Sequence, residues 1–111
     1  MARVFLGIGS NIERERYITA GLDALLGLFH ELALSSVYDS AAIGFAGQPF
    51  LNLVAAVHTD FPLAELAAKL RHIEIEHGRP SNATRFSARH LDIDILTYDD
   101  AVGVLCGVQL P

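Results

Sequence analysis

The sequence is poor in three things: cysteine, basic side chains and long apolar runs. Cys106 is the one cysteine in 111 residues, which excludes an intrachain disulfide, and no Cys or His partner stands at zinc-ligand spacing from it. A reducing compartment, by default the cytoplasm, is expected. Lys and Arg number 8 against 13 Asp and Glu, a formal net charge of -5. That deficit argues against sequence-independent binding to nucleic acid or anionic lipid, since both depend on surplus positive charge. The apolar stretch 101–110 is too short to span a bilayer, and the N-terminus lacks the basic, apolar, small-residue order of a signal peptide. The five histidines, His30, His58, His72, His77 and His90, form no HExxH or other zinc-like spacing, and no G-x-S-x-G elbow is present. Internal repeats, low-complexity tracts and linkers are absent as well.

What is there suffices for one soluble domain over residues 1–111, with 51% hydrophobic residues to build its core. Residues 3–8 (RVFLGI) read as a strand. Gly7, Gly9, Ser10 and Asn11 read as a turn and a helix cap, the third glycine of a dinucleotide-binding turn being absent. Ile18, Leu22, Leu25, Leu26 and Phe29 recur at helical spacing behind Glu13 and Glu15, which suit the positive end of a helix dipole. Residues 32–38 predict a second strand, and 39–49, with Gly44, Gly47 and Pro49, a mobile loop.

Residues 50–58 return to strand composition. Asp60 and Pro62 then open a second helix with an apolar stripe of Leu63, Leu66, Leu70 and Ile73, and Gly78 ends it. Residues 79–89 break every period, and Leu91, Ile93 and Ile95 alternate with His90, Asp92 and Asp94 in a last strand. The order β-α-β-β-α-β predicts an α+β, ferredoxin-like fold, an antiparallel sheet with two helices packed on one face.

Asp92 and Asp94 stand two apart in a strand, so they share a face at roughly 6.5 Å spacing. Such neighbours repel unless a cation neutralises them, and an oxygen-only pair suits Mg²⁺ with substrate phosphates; a solvated strand face has the same pattern. Arg79, Arg85 and Arg89 crowd just upstream in an otherwise acidic chain. Guanidinium forks beside a carboxylate pair are what a metal-polyphosphate site needs, though surface ion pairing would also place them there. Phe50 and Asn52 share a strand face as well, offering a flat apolar surface beside an amide, which suits a flat heteroaromatic ring; a core Phe reads the same way. Glu74 stands at the edge of the second helix's stripe, with Arg71 one turn earlier as a possible ion-pair partner.

Four segments, VFLGIGSN (4–11), QPFLNLVA (48–55), IEIEHGR (73–79) and RHLDIDIL (89–96), resemble in order and spacing the signatures of the 6-hydroxymethyl-7,8-dihydropterin pyrophosphokinase family. The resemblance covers residues 4–111, and its specific part is R-x-L-D-x-D following a G-R loop. It implies transfer of pyrophosphate from MgATP to the pterin alcohol in folate biosynthesis, with release of AMP.

The resemblance also implies roles. Asp92, Asp94, Arg79 and Arg89 form the catalytic set, with two Mg²⁺ ions on Asp92 and Asp94. Phe50, in place of a family Tyr, stacks on the pterin, Asn52 reads its edge, and Ser40, Ala41 and Ile43 supply backbone contacts and an apolar wall. Arg71, Glu74, Arg79, Arg85, Phe86, Arg89 and Ile95 contact ATP or lie beside it. The implied partners are these two small molecules; neither nucleic acid nor membrane is expected from the charge and the short apolar runs, and a monomer is expected.

Departures from the family pattern are Phe86 and Ala88 where Trp and Pro are common, Ser81 for a basic residue, and Ala41 and Ala42 for Pro. The loop before Phe50 is one residue shorter, and the family's C-terminal part, with its later ATP contacts, is expected to be missing. An active kinase is thus set against a weak or inactive pterin- or partner-binding module of the same descent. An RNA-binding sheet is disfavoured by the negative charge and the lack of an aromatic pair with basic neighbours.

Overall fold

Val4, Leu6 and Ile8 alternate with Arg3, Phe5 and Gly7, the pattern of a strand that buries one face. In the computed structural model, which describes residues 1–29, 31–40, 50–77, 91–105 and 108–110, they lie on the central strand of a sheet. The chain runs β1 (Ala2–Ser10), α1 (Arg14–Phe29), β2 (Ala33–Leu34), β3 (Tyr38–Ser40), β4 (Phe50–Thr59), α2 (Leu63–Glu76), β5 (Asp92–Tyr98), β6 (Gly103–Leu105) and β7 (Val108–Leu110). The sheet order is β2-β4-β1-β5, with β3 also on β4 and every pair antiparallel. This is the strand order of the split βαβ arrangement expected from the element sequence.

Leu6, Ile8, Leu53, Ala55, Val57, Ile93 and Ile95 line one face of the sheet, and Ile18, Leu25, Phe29, Leu66, Leu70 and Ile73 come down on it from the helices. Each fully buried aliphatic side chain contributes roughly 1.5 to 3 kcal/mol. The opposite face, carrying Phe5, Gly7, Asn52, Asp92 and Asp94, is free of helices among the described elements. The link from β4 to α2 is tied down twice: Thr59 Oγ1 accepts the Phe61 amide at 3.0 Å, and the Tyr98 hydroxyl donates to the Phe61 carbonyl at 2.6 Å. No helix among the described residues is long and apolar enough to cross a membrane.

Several local expectations change. Gly7, Gly9 and Ser10 form no turn; they belong to β1, and the Ser10 hydroxyl donates to the Ile12 carbonyl at 3.1 Å. Helix α1 starts only at Arg14, after Glu13 in the left-handed region at φ 44°. The expected strand 32–38 is broken. Leu34 pairs with Ala55 and Tyr38 with Asn52, so residues 35–37 face residues 53–54 and the strand carries a one-residue bulge. The Ser35 hydroxyl accepts the Val54 amide at 2.8 Å and so replaces the ladder bond the bulge removes. Asp39 and Ser40, assigned to a loop by composition, continue the pairing with β4.

The hairpin β6–β7 had no strand-like alternation to announce it; Leu110 joins the main core from it. Helix α2 ends at Glu76 with His77 as its C-cap. Gly78 and the loops expected at 41–49 and 79–89 lie outside the described residues.

Candidate active site

The open face of the sheet brings two of the sequence motifs into one row. Gly9 of β1 pairs with Asn52 of β4 on one side and with Asp92 of β5 on the other. In the next row of that face Gly7 pairs with Val54 and with Asp94. Residues in register share a face, so the Asn52 amide and the Asp92 carboxylate rise on either side of a glycine, about 10 Å apart by two interstrand spacings. Asp92 is half-buried and Asp94 exposed.

The glycines make a floor. A Cβ on Gly9 would stand 2.8 Å from Asn52 Oδ1 and 3.5 Å from the Phe50 ring, and one on Gly7 would stand 3.4 Å from the Leu96 side chain. Phe50 and Asn52 therefore lean over β1, as two residues at i and i+2 on one face can. Asn52 Nδ2 also donates to the Phe50 carbonyl at 3.4 Å, a long contact back to its own strand. Leu96 reaches Gly7 because of a second bulge. Leu6 pairs with Ile95 but Phe5 with Thr97, so Leu96 is the extra residue, and the Phe5 amide donates to Thr97 Oγ1 at 3.3 Å. Bulges at sheet edges commonly re-aim side chains beside functional sites.

Beneath the carboxylate pair, Glu74 of α2 is buried at 3% exposure, and its Oε2 accepts the amide of Ile93, the residue between Asp92 and Asp94, at 2.8 Å. A residue in an antiparallel ladder directs its N–H either to its partner or outward. The Ile93 amide takes the outward direction, at the end of the sheet among the described strands, and meets Glu74 of the helix there.

The remaining expected site residues divide by place. Ile95 is buried in the core on the face opposite Asp94, and Arg71 is exposed on α2. The Ser40 backbone pairs with Phe50, which puts the start of the expected pterin wall beside the ring. Ala41, Ile43, Arg79, Arg85, Phe86 and Arg89 lie outside the described residues. Gly7 and Gly9 were missed as site elements, although their i, i+2 spacing around buried Ile8 was a usable signal for a bare strip on a strand. Leu96 gave no such signal, because a bulge is set by strand pairing.

Among the described residues no group of three or more His, Cys, Asp and Glu could hold a metal ion. A pair of carboxylates on one exposed strand face instead fits a hard cation that takes one or two protein oxygens and draws its other ligands from water and phosphate.

The model of the 7,8-dihydro-6-hydroxymethylpterin-pyrophosphokinase family matches residues 5–111. The chain belongs to this family. A 2-amino-4-hydroxy-6-hydroxymethyldihydropteridine pyrophosphokinase from Aquifex aeolicus is 39% identical over 104 residues, covering 92% of this chain and 64% of that protein. One of the same name from Pseudomonas aeruginosa is 37% identical over 113 residues, covering 98% and 69%, and one from Haemophilus influenzae is 33% identical over 106, covering 92% and 66%. The chain thus spans about two thirds of the length of these curated relatives. Within the pyrophosphokinase family, the matched segment holds the whole row from Asn52 through Gly9 to Asp92.

Proposed function

We propose that this chain transfers pyrophosphate from ATP to the 6-hydroxymethyl group of 7,8-dihydropterin, with AMP as the other product, in folate biosynthesis. The observation that carries this reading is the one sheet face on which a ring-sized platform, Phe50 with Asn52 on β4, and a carboxylate pair, Asp92 with Asp94 on β5, stand on either side of Gly7 and Gly9. A flat ring on one side and a polyphosphate on the other would meet over the glycines.

In this reading Phe50 stacks on the pterin and Asn52, with donor and acceptor on one amide, fixes its edge. The backbone of Ser40, Ala41 and Ile43 closes the ring's far side. Asp92 and Asp94 would hold two Mg²⁺ ions, which would supply positive charge to offset that of the phosphates. Arg79 and Arg89 take the remaining phosphate charge in bidentate fashion. Arg71, Glu74, Arg85, Phe86 and Ile95 contact the nucleotide or lie beside it. The alcohol oxygen forms a bond to the β-phosphorus. The bond from that phosphorus to the α–β bridging oxygen breaks, AMP departs with the electron pair, and the alcohol proton is released. Holding both substrates in line is the main contribution such a site makes. A cytoplasmic monomer acting on these two small molecules completes the proposal.

The test is AMP release from MgATP by the purified chain, with and without 6-hydroxymethyl-7,8-dihydropterin. Pterin-dependent AMP and a pyrophosphorylated pterin are expected. Pterin binding without AMP would instead make this a binding module.

A further inference from the structure

Glu74 is the one buried acidic side chain among the described residues, and its carboxylate is engaged with backbone, at the amide of Ile93. We propose that Glu74 is a positioning residue: by holding the outward N–H of Ile93, it sets the spacing and direction of Asp92 and Asp94. This rests on the function proposed above, and deepens it.

The argument follows from where β5 lies. Among the described strands it is the end one of the sheet, held by β1 on one side. An end strand has outward amides that need water or a side chain, and it frays or twists more readily than a central strand. The Ile93 amide meets the Glu74 carboxylate of α2 there. A carboxylate there makes a charge-assisted bond, shorter and stronger than a neutral one, which 2.8 Å fits. Because Ile93 is the peptide link between the two aspartates, fixing it fixes both neighbours at once. Helix α2 thereby becomes part of the support for the metal-binding pair, in the way that hydrogen bonds behind ligating groups commonly govern metal affinity.

Two variants separate the hydrogen bond from the charge. Glu74→Gln keeps an acceptor oxygen at the same reach, and Glu74→Leu removes it at similar volume. Three readouts apply: hydrogen exchange of the Ile93 amide in the free protein, binding of Mn²⁺ with a non-hydrolysable ATP analogue followed by electron paramagnetic resonance, and AMP release against Mg²⁺ concentration. Pterin affinity reports that the sheet is intact. Glu74→Leu should speed exchange at Ile93 and weaken Mn²⁺ binding by about tenfold or more, raise the Mg²⁺ needed for half-maximal turnover, and leave pterin affinity within about twofold. Glu74→Gln should restore most of each loss.

Unchanged Ile93 exchange and metal affinity in Glu74→Leu would overturn the proposal. So would a Glu74→Gln variant as impaired as Glu74→Leu in metal binding while its Ile93 amide stays protected, since charge and not position would then be the cause. If the wild-type chain released no AMP, the function would fall, while exchange and Mn²⁺ binding would still decide the role of Glu74.

Discussion

Asn52 Oδ1 sits so close over Gly9 that a methyl group on Gly9 would stand 2.8 Å from it. The backbone at Gly9 is ordinary strand, so alanine is permitted there by conformation and opposed by contact alone. Gly9→Ala should therefore displace the Asn52 amide, at an overpacking cost of about 1 to 3 kcal/mol. Pterin affinity should fall about tenfold, for which 1.4 kcal/mol suffices, while nucleotide affinity stays near wild type. Titration calorimetry with each ligand measures both; equal loss for the two ligands would show that the glycine serves the sheet and not the ring site.

Phe50 is half-buried at the start of β4 and outside the core cluster. Phe50→Ala should weaken pterin binding by roughly 1 to 3 kcal/mol, by analogy with bases stacked on aromatic side chains. It should leave nucleotide binding nearly unchanged. A large loss of thermal stability with pterin affinity intact would assign the ring to packing.

With Asp92 and Asp94 as the proposed Mg²⁺ ligands, Asp92→Asn and Asp94→Asn should each lower pyrophosphoryl transfer by on the order of 1,000-fold, since such a site would lose several kcal/mol of charge stabilisation. Neither carboxylate belongs to the core, so folding stability should stay within about 0.5 kcal/mol. Steady-state turnover at saturating Mg²⁺ and a thermal melt check the two halves; wild-type turnover in either variant would remove that aspartate from the metal site.

The architecture was legible because local patterns were consistent with it: Val4, Leu6 and Ile8, the stripe of α2, and the alternation through Ile95 each matched an observed element. Asp92 with Asp94 and Phe50 with Asn52 were legible as same-face pairs for the same reason. Illegible were features fixed by pairing between distant segments. The bulge at Ser35 depends on β4 supplying Val54, and that at Leu96 depends on β1. Gly7 and Gly9 looked like a turn because glycine is common in turns, yet here they are flat strand beneath neighbouring side chains. Glu74 looked like a surface residue because the helical period alone does not show that a strand edge lies against it.

The two glycines of α1 give a last, internally controlled prediction about packing. Both lower helix propensity by about 1 kcal/mol relative to alanine, so a reading of the helix alone expects the same gain from replacing either. Their surroundings differ. A Cβ on Gly27 meets nothing within 4 Å, whereas one on Gly21 would stand 2.9 and 3.0 Å from the two methyl carbons of Leu91. Leu91 has 0% exposure and belongs to the core cluster, so its side chain has little room to retreat. Overpacking of about 1 to 3 kcal/mol then outweighs the propensity gain. Gly27→Ala should stabilise by about 0.5 to 1 kcal/mol, and Gly21→Ala should destabilise by about 1 kcal/mol, the difference of the two effects. Urea melts of both variants decide it. If both stabilise alike, Leu91 has space to move, and α1 does not press on the residue that leads into Asp92.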